Sequence, residues 1–142
     1  GEEIRVPIVA MRYVDKFQSH DENAEIGSLL NLESPHLPAA LKQWGDVWHL
    51  NSGWFDDARE GRTLCNLSAA SVSADDAKGP IVEVTIQHTS QYRFGTAENP
   101  EHWSWAEFGI DRLEQAANEL HIGNKTFMKR LLNSSIADEI GL

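Results

Sequence analysis

A single cysteine, Cys65, is all that this chain of 142 residues carries. One thiol excludes an intramolecular disulfide framework and a cysteine-rich zinc site, and it fits a reducing compartment, so the cytoplasm is the expected location. Long apolar runs are missing as well: nothing approaches the roughly 18 residues of a spanning helix, so no membrane partner is expected. Basic residues are scarce, 12 against 22 acids, for a formal net charge of −10. Such a balance repels a phosphate backbone unless the bases gather on one face. Apart from Lys125, Lys129 and Arg130 they are scattered, and nucleic acid is not an expected partner. The chain has no Gly-rich phosphate loop, no Walker lysine, no G-x-S-x-G and no H-E-x-x-H. Those familiar routes to an enzyme are closed, and the balance leans against catalysis. It also lacks a basic-then-apolar leader, but it opens at Gly1 rather than Met, so that absence decides nothing.

What the chain does have is globular. Hydrophobic residues make up 41%, with five Trp and five Phe, and a chain of this length fits one domain with a real core. RVPIVAMRYVDKF (5–17) is rich in β-branched and aromatic residues. Both alternating sets, Ile8/Ala10/Val14 and Val9/Met11/Tyr13/Phe17, are largely apolar, which predicts a central strand covered on both faces. The two prolines of LLNLESPHLPAAL forbid a long helix and predict a connection with short helical pieces. A strand is expected around Val47–Leu50, followed by a turn at Asn51-Ser52-Gly53. GRTLCNLSAASVS (61–73) and PIVEVTIQHTSQYRF (80–94) flank ADDAKG, whose composition is turn chemistry, and together they read as an antiparallel hairpin. In its second strand Val82, Val84, Ile86, Tyr92 and Phe94 share a parity with His88, which puts that histidine on the core side.

The clearest element comes last. Ser104-Trp-Ala-Glu107 forms a capping box, Trp103 and Phe108 are placed as a hydrophobic staple, and a helix is expected from Trp105 to Leu132. Its apolar stripe runs Ile110, Leu113, Ala117, Leu120, Phe127 and Leu131, with Asn124 in the one remaining slot. Acids early and bases late suit the helix dipole. Ser135-Ile-Ala-Asp138 caps one more turn, ending at Gly141.

Several polar and aromatic groups compete for a role. Asn124 lies on the core stripe with His121 beside it, and Gly123 lets another backbone approach at a cost of about 1 kcal/mol in helix propensity. Buried polar groups are hydrogen-bonded, so the favoured expectation is a structural one, in which these groups tie the helix to a neighbouring strand or loop. The functional alternative is a His/Asn pair lining a pocket. Trp44, Trp48 and Trp54, with Trp103 and Trp105, suit either stacking on a planar ligand or ordinary core burial, and burial is favoured. His20-Asp21-Glu22 with Glu25, and Asp56-Asp57, offer oxygens to a hard cation, but unspaced acids beside a glycine read as solvated turns. No metal and no cofactor is assigned. Cys65, alternating with Leu67 and Ala69, reads as a small core residue.

The order of IVAMRYVDKF, LLNLESPHLPAAL, a hairpin, LHIGNKTFMKRLL and a final ADEIGL resembles a sporadically distributed prokaryotic protein family in which an R-Y strand and a late L-H-x-x-N-x-x-F helix recur. Arg12, Tyr13, His121, Asn124 and Phe127 match those motif positions. Members of that family look nearly twice as long, so the resemblance implies a C-terminal half, and it brings no established activity. Their sporadic distribution suggests a link to defence or mobile elements. The resemblance also implies one buried network joining Arg12 to His121 and Asn124.

The expected architecture is α+β: an antiparallel sheet of about four strands under a long C-terminal helix. The expected function is a non-catalytic interaction domain whose partner is another protein, the missing N-terminal half or a second copy. The alternative is a small-ligand site or enzyme pocket between helix and sheet, lined by Arg12, Tyr13, His88, His121, Asn124 and Trp48.

Overall fold

A computed structural model of the chain describes residues 8–21, 25–45, 47–56, 63–93 and 105–142. Four strands, β1 (Ile8–Ser19), β2 (Trp48–Asp56), β3 (Thr63–Asp76) and β4 (Gly79–Arg93), form one antiparallel sheet in the order β1-β4-β3-β2. The helix α2 (Trp105–Leu131) crosses one face, so the fold is α+β as the sequence pattern predicts. Two short helices complete it: α1 (Ile26–Leu29) before a 3-10 turn at Ala39–Gln43, and α3 (Ser134–Glu139) at the end. Among the described residues no helix is long and apolar enough to cross a membrane.

The β3–β4 hairpin is the expected one. Asp76 pairs with Gly79 across a turn at Ala77 and Lys78, and Gly79 takes φ +116°, a conformation that favours glycine. Asp76 holds the turn by accepting from the Lys78 amide at 2.7 Å, and His20 bonds its other oxygen at 2.8 Å. Parity then does the sorting: Val84, Ile86, His88 and Ser90 of β4 and Cys65, Leu67 and Ala69 of β3 are buried on the helix side. Leu67 and Ile86 are almost wholly enclosed, each contributing about 2 kcal/mol of burial. Phe94 lies outside the described residues.

Two strands differ from expectation. β1 is an edge strand covered on one face only: Val9, Met11, Tyr13 and Phe17 are half-buried, whereas Ile8, Ala10, Arg12 and Val14 are exposed. The apolar even positions blurred an alternation that Arg12, Lys16 and Gln18 mark correctly. On that outer face Arg12 donates to Gln87 Oε1 at 2.7 Å and Gln18 to Glu83 at 2.8 Å. β2, in turn, runs straight through Asn51-Ser52-Gly53, which is therefore not a turn. Gly53 faces Asn66 across the strand pair, where an added Cβ would stand 2.8 Å from Asn66 Oδ1. A side chain at this position would have to move the end of the Asn66 side chain aside, and the strand continues through the glycine without a turn.

In α2 the stripe holds from Leu113 onward. Leu120, Asn124, Phe127 and Leu131 are buried, while Ile110 is 63% exposed and Ala116, not Ala117, meets Val9 and Tyr92. Trp103 and Ser104, and the side chains of Trp105, Glu107 and Phe108, lie outside the described residues. The helix end is clamped by the connection after α1. Leu30 forms a β-bridge with Leu132, the Asn31 amide donates to Leu131 O, and the Asn133 amide donates to Leu29 O. Asn133, not Ser135, caps α3: its Oδ1 accepts from the Ser135 amide at 3.1 Å while its Nδ2 donates to Gly27 O. Leu30, Leu41, Leu131 and Leu132 fill the core beneath this clamp.

Candidate functional site

Helix periodicity puts Asn124 and Phe127 on the sheet side of α2, and strand parity puts His88 opposite them on β4. The result is a buried bond: His88 Nδ1 lies 2.7 Å from Asn124 Oδ1, with the two residues only 2% and 6% exposed. A carboxamide oxygen accepts, so Nδ1 carries the hydrogen and Nε2 carries the lone pair. Rings lock the imidazole on its flanks. It stacks on Phe127 at 4.3 Å and 17°, and on Trp54 of β2 at 6.2 Å and 18°. His36, from the proline-bracketed connection, packs on the same group, 4.6 Å from Trp54 and 5.0 Å from Phe127.

These four rings wall a cleft of about 410 Å³ between α2 and the β2–β3–β4 face. Its floor is made by His88 and Ser90 of β4 and Thr63 and Cys65 of β3, and its helix side by Leu120, Gly123 and Phe127. Glu119, Asp56 and Arg130 also border it. Cys65 Sγ and Ser90 Oγ stand 4.0 Å apart on facing positions of the β3–β4 pair. Two buried polar atoms in the cleft have no hydrogen-bond partner among the described residues: His88 Nε2 and Thr63 Oγ1. Each costs on the order of 1–3 kcal/mol when left so. Natural cores keep few such atoms, and two in one cleft call for an explanation.

Charge is kept out of the buried end. Burial pushes the His88 pKa below the ordinary imidazole value, and a positive charge on His36 would push the same way; the bond to Asn124 opposes both. His36 is likewise lowered, by burial and then by the Arg130 guanidinium. Both rings are therefore neutral near pH 7 and His88 Nε2 is a hydrogen-bond acceptor.

The six residues singled out from sequence do not form one site. His88 and Asn124 do meet, as just described. His121 and Asn124, expected as a pair, part company: His121 Nδ1 lies 2.9 Å from the Tyr13 hydroxyl at an exposed bond between α2 and β1. Arg12 sits on the opposite sheet face, bonded to Gln87, so no buried network joins it to the helix. The error is one residue of strand parity, since Tyr13 next door does face α2. Trp48 is buried in the core beside Trp44, with ring centroids 6.4 Å apart, and does not line the cleft. Trp54 was grouped with the tryptophans but not with the pocket, and His36, Thr63, Ser90 and Arg130 were missed. His36 had one signal: a histidine fixed between Pro35 and Pro38 presents its ring in a defined direction.

No protein-family model, no curated protein and no solved structure matches this chain. Its class is thus given by architecture, an α+β domain with a helix-covered antiparallel sheet and an aromatic cleft between them, and its function rests on the chemistry of that cleft.

Proposed function

We propose that the domain binds a small molecule in the cleft between α2 and the sheet. The observation that carries this is the pair of buried, unpartnered polar atoms, His88 Nε2 and Thr63 Oγ1, on the floor of an aromatic-walled cleft. Small-molecule sites are of this kind: mostly apolar, some 300–1,000 Å³ in volume, with few convergent polar groups. A ligand held there would give a partner to one or the other of these atoms.

A fragment screen by ligand-observed NMR tests this, using wild type and a Trp54→Ala, Gly123→Met variant whose cleft is stripped of one wall and filled from the other. Fragments that bind wild type at least tenfold more tightly than the variant support the proposal. Equal binding to both proteins refutes it.

A second activity, docking of a protein partner, rests on a separate observation. The sheet face away from α2 has no cover among the described residues, and Val14, Phe55 and Val72 are exposed on it. In this role the domain works in the cytoplasm of a prokaryote as an acidic interaction module, with its N-terminal half or a second copy on that face and a place in a defence or mobile-element system. Mass photometry of the isolated chain and of the chain with candidate partners decides it: monomers throughout would count against docking.

A further inference from the structure

The polarity of the cleft's buried end specifies what its occupant must bring. His88 has one nitrogen already committed, donating to Asn124 at 2.7 Å, and the stack with Phe127 at 4.3 Å holds the plane of the ring. His88 lines the cleft, and its other nitrogen, Nε2, is enclosed, carries a lone pair and has no hydrogen-bond partner among the described residues. A carboxylate or phosphate oxygen there would meet lone pair with lone pair, and a metal would find no other ligating cluster among the described residues. An N–H or O–H donor would be satisfied. The walls add shape: Trp54, Phe127 and His36 offer ring faces and edges over the same volume, which favours a flat, apolar body. Thr63, further along the floor, carries a second hydroxyl that can donate or accept.

We infer that the ligand is a planar aromatic or heteroaromatic molecule that donates an uncharged N–H or O–H group to His88 Nε2. This rests on the cleft being a ligand site, and it adds the chemical class of the ligand. Phenols and azoles fit it; carboxylates and phosphate esters entering by their charged end do not. Asn124 acts as a positioning residue: by accepting from Nδ1 it fixes which nitrogen is bare.

The test compares donor probes with their methyl-capped counterparts by 19F NMR. 4-Fluorophenol and 4-fluoroaniline carry the donor, whereas 4-fluoroanisole and N,N-dimethyl-4-fluoroaniline have it capped. The donors are expected to bind wild type roughly three- to tenfold more tightly than their capped partners, the worth of one net hydrogen bond. In a His88→Phe, Asn124→Leu double variant, which removes both halves of the bond and so strands neither, that preference should vanish while all four probes still bind. Asn124→Asp serves as an independent variant. Its carboxylate favours the protonated ring, Nε2 becomes a donor, and the phenol should lose its advantage to 4-fluorobenzoate. Near-UV circular dichroism verifies that each variant is folded. Equal binding of donor and capped probes to wild type would overturn the donor requirement and leave the cleft a binding site. No binding of any probe to wild type would overturn both.

Discussion

Replacing Asn124 by leucine tests the central contact most directly. The change keeps roughly the volume of the side chain but removes the oxygen that accepts from His88 at a site where both residues are almost fully enclosed. Two costs arise: the lost bond, and a buried Nδ1–H left with no acceptor. Together they come to about 2 kcal/mol, less whatever the added leucine regains by apolar burial. For a chain of this size that is a Tm lower by about 8 °C. His88→Phe strands Asn124 Oδ1 but also removes the unpartnered Nε2, so it should cost less than Asn124→Leu. In the double variant neither group is stranded, so its loss should fall well short of the sum, with a coupling energy of about 1–2 kcal/mol. Urea unfolding of the four proteins gives the cycle directly. Strict additivity would show that the bond contributes nothing specific, and the assignment of Nε2 as the bare nitrogen would go with it.

Three further outcomes follow from the same geometry. Thr63→Val deletes a buried hydroxyl that has no partner among the described residues, so it should raise stability by about 1 kcal/mol in denaturant melts; a loss of that size would mean the hydroxyl is satisfied after all. His121→Ala removes an exposed bond to Tyr13 for which water substitutes, and should cost less than about 1 kcal/mol, unlike Asn124→Leu. Acid should weaken the fold early: His88 and His36 have folded pKa values below the ordinary 6.5, so stability is intact above about pH 6.5. It then falls as the unfolded chain binds protons the native state refuses, by about 1.4 kcal/mol per pH unit for His88, until its lowered pKa is passed. A Tm that stays flat from about pH 7.5 to pH 5, or the same slope in the His88→Phe, Asn124→Leu variant, would contradict this.

How far the sequence could be read depended on how local the determining signal was. The β3–β4 hairpin and α2 were legible because strand alternation, turn composition and a helical apolar stripe each show within a few residues of sequence. β2 was cut short because Asn-Ser-Gly has turn composition, and nothing local reveals that these residues pair in register with Ser68, Leu67 and Asn66 of β3. β1 looked central because its outer face carries Ile8, Ala10 and Val14, apolar residues that an edge strand leaves in water. The candidate site failed in the same way. His121 and Asn124 were joined because they are three apart on one helix, yet their partners, Tyr13 and His88, come from two different strands. His36 and Thr63 reach the cleft only through tertiary packing, which no periodicity in the chain announces.

The clamp between the α1 connection and the end of α2 sets an order in time. Gly27 is held by Asn133, 106 residues later, and Asn31 by the backbone of Arg130. His36 belongs to this same connection and is pinned against Phe127. On a ribosome residue 93, the end of the β2–β3–β4 meander, emerges well before Asn133, so the clamp that carries His36 cannot close until the strands of the meander are out. A ligand that needs the His36 wall has nothing complete to bind on the nascent sheet. On the proposed reading such a ligand would meet only the finished domain, and its binding energy would go to keeping the fold rather than to reaching it.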